Sequence, residues 1–239
     1  MRYVVFLFLL FTVAPALGAA CSIESAAEHP HVIELYTAEG CSSCPPAEQW
    51  MSTLRDKTNV IGLEFHVDYW DSLGWPDPFA DARYTDRQKA LARHGSQVYT
   101  PQIALDGRVW KNWPKGTPPE EPHVQAPALK LAVEPGTPIR IEIESAASDA
   151  PKSWGVYAAL VENGLTSKVI AGENKGKSLA HDLVVRDLAG PLPLARAEAT
   201  LKPPPAFDAA KASVVALVQD SASGDIVQAV RVPLAACAP

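Results

Sequence analysis

The sequence predicts an α/β domain followed by an all-β antiparallel sandwich domain. Three observations predict it. Strand and helix patterns alternate between residues 29 and 117, a proline-rich stretch interrupts them, and period-two apolar alternation takes over from residue 128.

The first strand, residues 32–37, is apolar and ends just before Cys41-Ser42-Ser43-Cys44-Pro45-Pro46. A helix over residues 47–55 follows, with proline in its first turn, where a missing N–H costs nothing. Residues 60–67 form a second apolar strand. An aromatic and acidic stretch containing Tyr69, Trp70, Trp75 and Phe79 leads to a charged helix over residues 80–94. Residues 102–105 and 108–110 flank Asp106-Gly107, a two-residue hairpin signal. Residues 118–127 read as a linker between a first domain of residues 21–117 and a second of residues 128–239. In the second, strands are expected at 129–133, 139–143, 154–161, 168–171, 179–185, 197–201, 214–219 and 226–232. Trp154 is assigned to the sandwich core.

Residues 1–20 have the pattern of a secretory signal peptide: Arg2, an apolar stretch and a small-residue exit. Cleavage near Ala20 leaves Cys21 at the new N-terminus, where lipidation is an alternative. No other segment is long and apolar enough to span a bilayer, so the expected location is periplasmic or secreted. The formal net charge is −6 and no basic residues cluster, which argues against nucleic acid or anionic membrane as partners. The expected partners are exported proteins carrying thiols or disulfides, or a redox partner protein.

Four cysteines in an exported chain invite pairing. Cys41 and Cys44 form a local pair, which leaves Cys21 and Cys237 for a structural bridge. Cys41, placed at a helix N-terminus, is read as the exposed attacking thiol, stabilised as thiolate by the helix dipole, with Cys44 resolving the mixed disulfide. His66 and Asp68, two apart on one strand, are read as tuning protonation. Thr100-Pro101, with a cis bond, is read as holding the backbone of an extended substrate, and Trp70 and Trp75 as an apolar platform. Glu39 reads as a solvated loop residue, and His181, Asp182 and Arg186 as polar residues of a strand surface.

Two motifs carry a resemblance. Cys41-Ser42-Ser43-Cys44-Pro45 after a strand, and Thr100-Pro101 before an antiparallel strand, resemble the thioredoxin superfamily. The first domain is therefore expected to be a thioredoxin-like α/β domain. More narrowly, residues 34–46, 65–71, 99–102, 172–176 and 181–186 look like an exported bacterial family of unassigned function, which pairs such a domain with a C-terminal β domain. The acid that thioredoxins carry six residues before the first cysteine is replaced by Leu35, with Glu34 on the opposite strand face.

The function expected is an exported thiol–disulfide oxidoreductase acting on protein substrates. It needs no cofactor, because the Cys41–Cys44 pair carries the electrons. Two alternatives belong to other classes. One is a Cu(I)- or Zn(II)-binding metallochaperone with Cys41, Cys44 and His66 as ligands. The other is a non-catalytic binding module in which Cys41–Cys44 is a structural bridge.

Overall fold

The computed structural model describes residues 21–25, 30–116, 118–119, 127–147 and 149–237. The expected signal peptide and most of the expected linker lie outside the described residues. Among those described, strands dominate, and there are only two α-helices: α1, Pro45–Ser52, and α2, Ala82–Ala92. The expectation of an α/β thioredoxin-like domain followed by a separate all-β antiparallel sandwich is therefore corrected: the molecule is a mixed, multi-sheet protein, and its largest sheet runs through both halves of the chain.

That sheet has eight strands. The first half supplies β2 (His31–Thr37), β3 (Val60–His66), β4 (Gln102–Leu105) and β5 (Arg108–Val109). The second half supplies β8 (Trp154–Glu162), β11 (Val184–Leu192), β13 (Ala212–Asp220) and β14 (Ile226–Pro233). Their order is β14-β13-β8-β11-β3-β2-β4-β5. β2 and β3 pair in parallel from His31–Val60 to Thr37–His66, and every residue of both is buried. Such unbroken burial is the signature of parallel strands covered on both faces. The halves join where β11 runs parallel to β3, Val184 opposite Glu64, with the Glu64 N–H donating to the Leu183 carbonyl at 2.8 Å. Gly62 permits this approach: a Cβ there would meet Leu183 Cδ1 at 2.5 Å.

A second sheet has the order β1-β6-β7-β12, formed by Cys21–Glu24, Leu129–Glu134, Ile139–Ser145 and Arg196–Leu201. Its alternating residues Leu129, Leu131, Val133, Ile139, Ile141 and Ile143 pack on Val156, Ala158 and Leu160 of β8. The other face of β8, Ala159 and Val161, belongs to the core around Cys41, Met51 and Phe65. A free-standing sandwich would not need β8 apolar on both faces, and that is the physical reason the sandwich expectation fails. β1, at the start of the described chain, pairs with β6, and Cys21 is bonded to Cys237 in the final turn.

The expected strand at 179–185 is broken. Leu183 adopts a positive φ of 62°, its N–H held by Asn163 Oδ1 at 2.8 Å. This separates β10 (Ser178–His181) from β11. β10 pairs with β9 (Leu165–Lys168), and residues 169–177, part of which was expected as strand, are the loop of this two-stranded hairpin. The break turns His181 inward.

Candidate active site

α1 starts at Pro45, with Cys44 at its N-cap position and both prolines in the first two positions. Cys41 therefore lies in the turn before the helix, where its N–H donates to the Ala38 carbonyl at 3.1 Å and its carbonyl accepts from the Cys44 N–H at 3.3 Å. The two sulfurs are bonded at 2.11 Å, with Cα atoms 5.5 Å apart. Cys41 is buried as completely as Cys44, both 0 % exposed, so the expectation of an exposed attacking thiol is corrected. The β9–β10 loop is fastened to the backbone of the cysteine turn. Asn174, itself buried, donates through Nδ2 to the carbonyls of Glu39 and Cys41, both at 2.9 Å. Glu173 Oε2 accepts the Ser42 N–H at 2.9 Å, and this bond holds the Glu173 carboxyl below its usual range. Residues from the second half thus seat directly on the cysteine loop.

On the other side stands Thr100-Pro101, whose peptide bond is cis. β4 pairs Gln102 with Tyr36, which carries Thr100-Pro101 toward the end of β2 from which the cysteine loop leaves. Trp70 Nε1 donates to Thr100 Oγ1 at 2.8 Å, and a Cβ on Gly40 would sit 3.3 Å from Trp70 Cβ. Cys41, Cys44, Trp70, Thr100 and Pro101 are therefore brought to one region. Trp75 is not part of an open platform, because its Nε1 donates inward to Glu39 Oε2 at 2.7 Å.

His66 and Asp68 separate. β3 ends at His66, and Asp68 begins a 3-10 turn, Asp68–Leu73, so the two do not share a strand face. Asp68 instead accepts from Thr85 Oγ1 at 2.5 Å, tying that turn to α2. His66 is fully buried between Asp77, whose Oδ2 is 2.7 Å from Nδ1, and Glu64, whose Oε1 is 3.0 Å from Nε2.

These contacts open onto a buried polar cluster that local sequence patterns did not point to. His181 Nε2 lies 3.1 Å from Glu39 Oε1, and its Nδ1 lies 3.4 Å from Glu64 Oε1 and 3.5 Å from Glu48 Oε2. Thr37 Oγ1 donates to the other oxygen of Glu48 at 2.5 Å, and the Ser167 hydroxyl donates to Glu39. The readings of Glu39 as solvated and His181 as a strand-surface residue are both corrected, since each is almost entirely buried. The signal available in the sequence was Glu64 within an apolar strand: a carboxylate with no solvent face needs a partner.

Burial pulls the His66 imidazole toward neutrality, but Asp77 and then Glu64 raise its pKa well above the ordinary value. The same opposition, with Glu39 and Glu64 as the raising groups, pushes His181 up to about 9. Burial, reinforced by the Glu64 charge, pushes Glu48 up to about 7. Glu64 itself is raised by burial, but its contacts to His181 and His66 outweigh that and hold it below the usual carboxylate range. Among the described residues, the ligand atoms that converge are those of Glu64, His66 and His181, all within 4.8 Å of one another; the cysteines are not in this group.

A pH dependence follows. His181 keeps its proton to about 9 when folded, against 6.5 when free, so the folded chain binds more protons across that window and loses stability as pH rises through it. With chelator present, thermal melts should show a loss on the order of 3 kcal/mol between these limits. His181→Gln should make the profile shallower, leaving the fall that His66, raised in the same direction, adds. A wild-type melting temperature independent of pH over that window contradicts the assignment.

A family model described as "Protein of unknown function (DUF1223)" matches residues 32–219. The chain belongs to this family. The matched span takes in both halves of the DUF1223 chain, including the cysteine loop, the buried cluster and the hairpin that covers them. Among solved structures, the chain is similar to protein AGR_C_4864 from Agrobacterium tumefaciens, at 27 % identity and a TM-score of 0.56, over 87 % of this chain and 96 % of that one. It is also similar to HBP35 of Porphyromonas gingivalis, with a TM-score of 0.59 over 90 % of this chain and 78 % of that one; at 16 % identity this is a likeness of fold alone. No curated protein matches.

Proposed function

We propose that this chain is an exported thiol–disulfide oxidoreductase acting on protein substrates through Cys41 and Cys44, as the resemblance of its two motifs to the thioredoxin superfamily implies. The observation that carries the reading is the bonded Cys41–Cys44 pair at the start of α1, with Trp70 and the cis Thr100-Pro101 segment beside it. In the reducing direction, the Cys41 thiolate attacks one sulfur of a substrate disulfide, forming a mixed disulfide and expelling one substrate thiolate. Cys44 then attacks the Cys41 sulfur, closing Cys41–Cys44 and expelling the substrate's second sulfur, so that two electrons pass to the substrate. Oxidation of a substrate dithiol is the same sequence reversed. No dissociable cofactor enters.

Glu48 fills the role that Leu35 leaves open. It stands four residues after Cys44 on the same helix, hence on the same face, and it changes protonation near pH 7. Tyr69, Leu73, Val98 and Tyr99 expose apolar surface on the segments that carry Trp70 and Thr100, as a site for extended protein chain requires. Exchange requires the Asn174 loop to lift, since both sulfurs are covered. Two disulfides and the leader-like first twenty residues support an oxidising location, periplasmic or secreted.

Trapping tests the reading. The full chain carrying Cys44→Ala, expressed with its leader, should accumulate mixed disulfides through Cys41 that reducing agent releases and that are missing when Cys41 is also replaced. An absence of such adducts, while Cys41 is free to react with an alkylating agent, would sink the proposal.

A further inference from the structure

Apart from Glu48, the buried cluster has an organisation that exchange chemistry does not use. Each histidine has one ring nitrogen facing outward to a carboxylate and one facing inward. His66 Nδ1 meets Asp77 Oδ2 at 2.7 Å, which turns Nε2 toward Glu64 Oε1 at 3.0 Å. His181 Nε2 meets Glu39 Oε1 at 3.1 Å, which turns Nδ1 toward the same Glu64 oxygen at 3.4 Å and toward Glu48 Oε2 at 3.5 Å. Both inner nitrogens therefore face one carboxylate.

The outer carboxylates are themselves held. Asp77 accepts the N–H groups of Glu39 and Phe79 at 2.8 and 2.9 Å, and Glu39 accepts from Trp75 and Ser167. This is the carboxylate–histidine pattern that orients imidazole toward a metal and fixes its tautomer. The inner groups are not satisfied. Among the described residues, His181 Nδ1 and Glu64 Oε2 are buried and find no hydrogen-bond partner. Without a proton, the Nδ1 lone pair faces carboxylate oxygens; with one, the proton has no well-aligned acceptor. A buried group left in that state is costly.

Size agrees with an ion. Ligand bonds of about 2.0–2.1 Å in a tetrahedral site place donor atoms roughly 3.3 Å apart. The separations of 3.0 Å from His66 to Glu64, 3.4 Å from His181 to Glu64 and 3.5 Å from His181 to Glu48 lie near that value. Charge agrees too, because two inner carboxylates balance a dication while both imidazoles stay neutral.

We propose that Glu64, His66 and His181 form a buried site for a divalent first-row transition cation such as Zn(II), and that Glu48, whose Oε2 lies 3.5 Å from His181 Nδ1, is the carboxylate placed to complete it. The nitrogen and oxygen donors suit such an ion and differ from a thiolate site. The ion would join β3, α1 and β10, stapling the hairpin of the second half onto the cysteine-bearing first half. Cys41 and Cys44 are not ligands, so binding is tested apart from the exchange reading; Glu48 is common to both, and an ion bound there would withdraw it from proton acceptance.

The test uses the full oxidised chain, stripped with chelator and titrated separately with Zn(II) and with Co(II). One equivalent of each should bind, with visible Co(II) ligand-field bands and no thiolate charge-transfer band. Zn(II) should raise the melting temperature. His181→Ala and Glu64→Gln should each abolish stoichiometric binding, and Glu48→Gln should weaken it at least tenfold. A chain with both Cys41 and Cys44 replaced by serine should still bind one equivalent, which separates this result from any failure of trapping. Should His181→Ala not fold, the wild-type Co(II) spectrum and the milder Glu48→Gln decide. Wild-type protein that takes up no Co(II), a spectrum dominated by thiolate charge transfer, or binding undiminished in Glu64→Gln overturns the proposal.

Discussion

Asn174→Ala is expected to expose the Cys41–Cys44 disulfide to small reductants. Asn174 Nδ2 is the shared donor to the carbonyls of Glu39 and Cys41, and it works inside a site that excludes water. Truncation leaves the buried Glu39 carbonyl without that donor, at about 1–3 kcal/mol, while the Cys41 carbonyl keeps the Cys44 N–H. The penalty falls on the closed state of the 169–177 loop, so its local opening becomes more frequent. Reduction by dithiothreitol, quenched by alkylation, should accelerate by between about fivefold and 150-fold. Glu173→Gln, which alters only the exposed bond to the Ser42 N–H, should have a much smaller effect. A rate unchanged by Asn174→Ala would show that the loop does not control access to the pair.

The second large effect is expected at Arg87. Its guanidinium, on α2, meets Glu34 Oε1 on β2 at 2.6 Å and lies 4.7 Å over the Tyr157 ring of β8. It also donates to Gln219 of β13 at 3.3 Å. One side chain thus ties helix and strand of the first half to two strands of the second. Arg87→Ala leaves the fully buried Glu34 without its counter-charge, and such a loss costs about 3–5 kcal/mol. The urea midpoint should fall accordingly. Adding Glu34→Gln should recover part of the loss, because the orphaned charge is then gone. If the double variant is less stable than Arg87→Ala, the buried charge is not the cause.

Features written in contiguous residues were legible. The strand, cysteine loop and prolines of residues 32–46 declare their element order locally, and so does Thr100-Pro101 before an apolar strand. The face assigned to Glu34, opposite to Leu35, meets Arg87 of α2. What could not be read was pairing across long separations. Glu39 and His181 are 142 positions apart, and no local pattern joins them. The apolar run over residues 158–161 was read as one strand of an independent sandwich, yet unbroken burial there meant that both faces were covered. Leu183 was the other hidden decision. No glycine or asparagine announced its positive φ, and the turn it makes carries β11 to the edge of β3 and His181 into the cluster.

The reduction potential of Cys41–Cys44 decides whether it is an exchanging pair, as proposed, or a structural staple. The full chain equilibrated in graded dithiothreitol or glutathione buffers, then acid-quenched and alkylated, yields the potential from the fraction of thiol at these two positions. An exchanging pair should give a value between about −120 and −270 mV, the range of disulfides that trade electrons with protein partners. A value well below about −300 mV would mark the bond as structural and overturn the exchange reading.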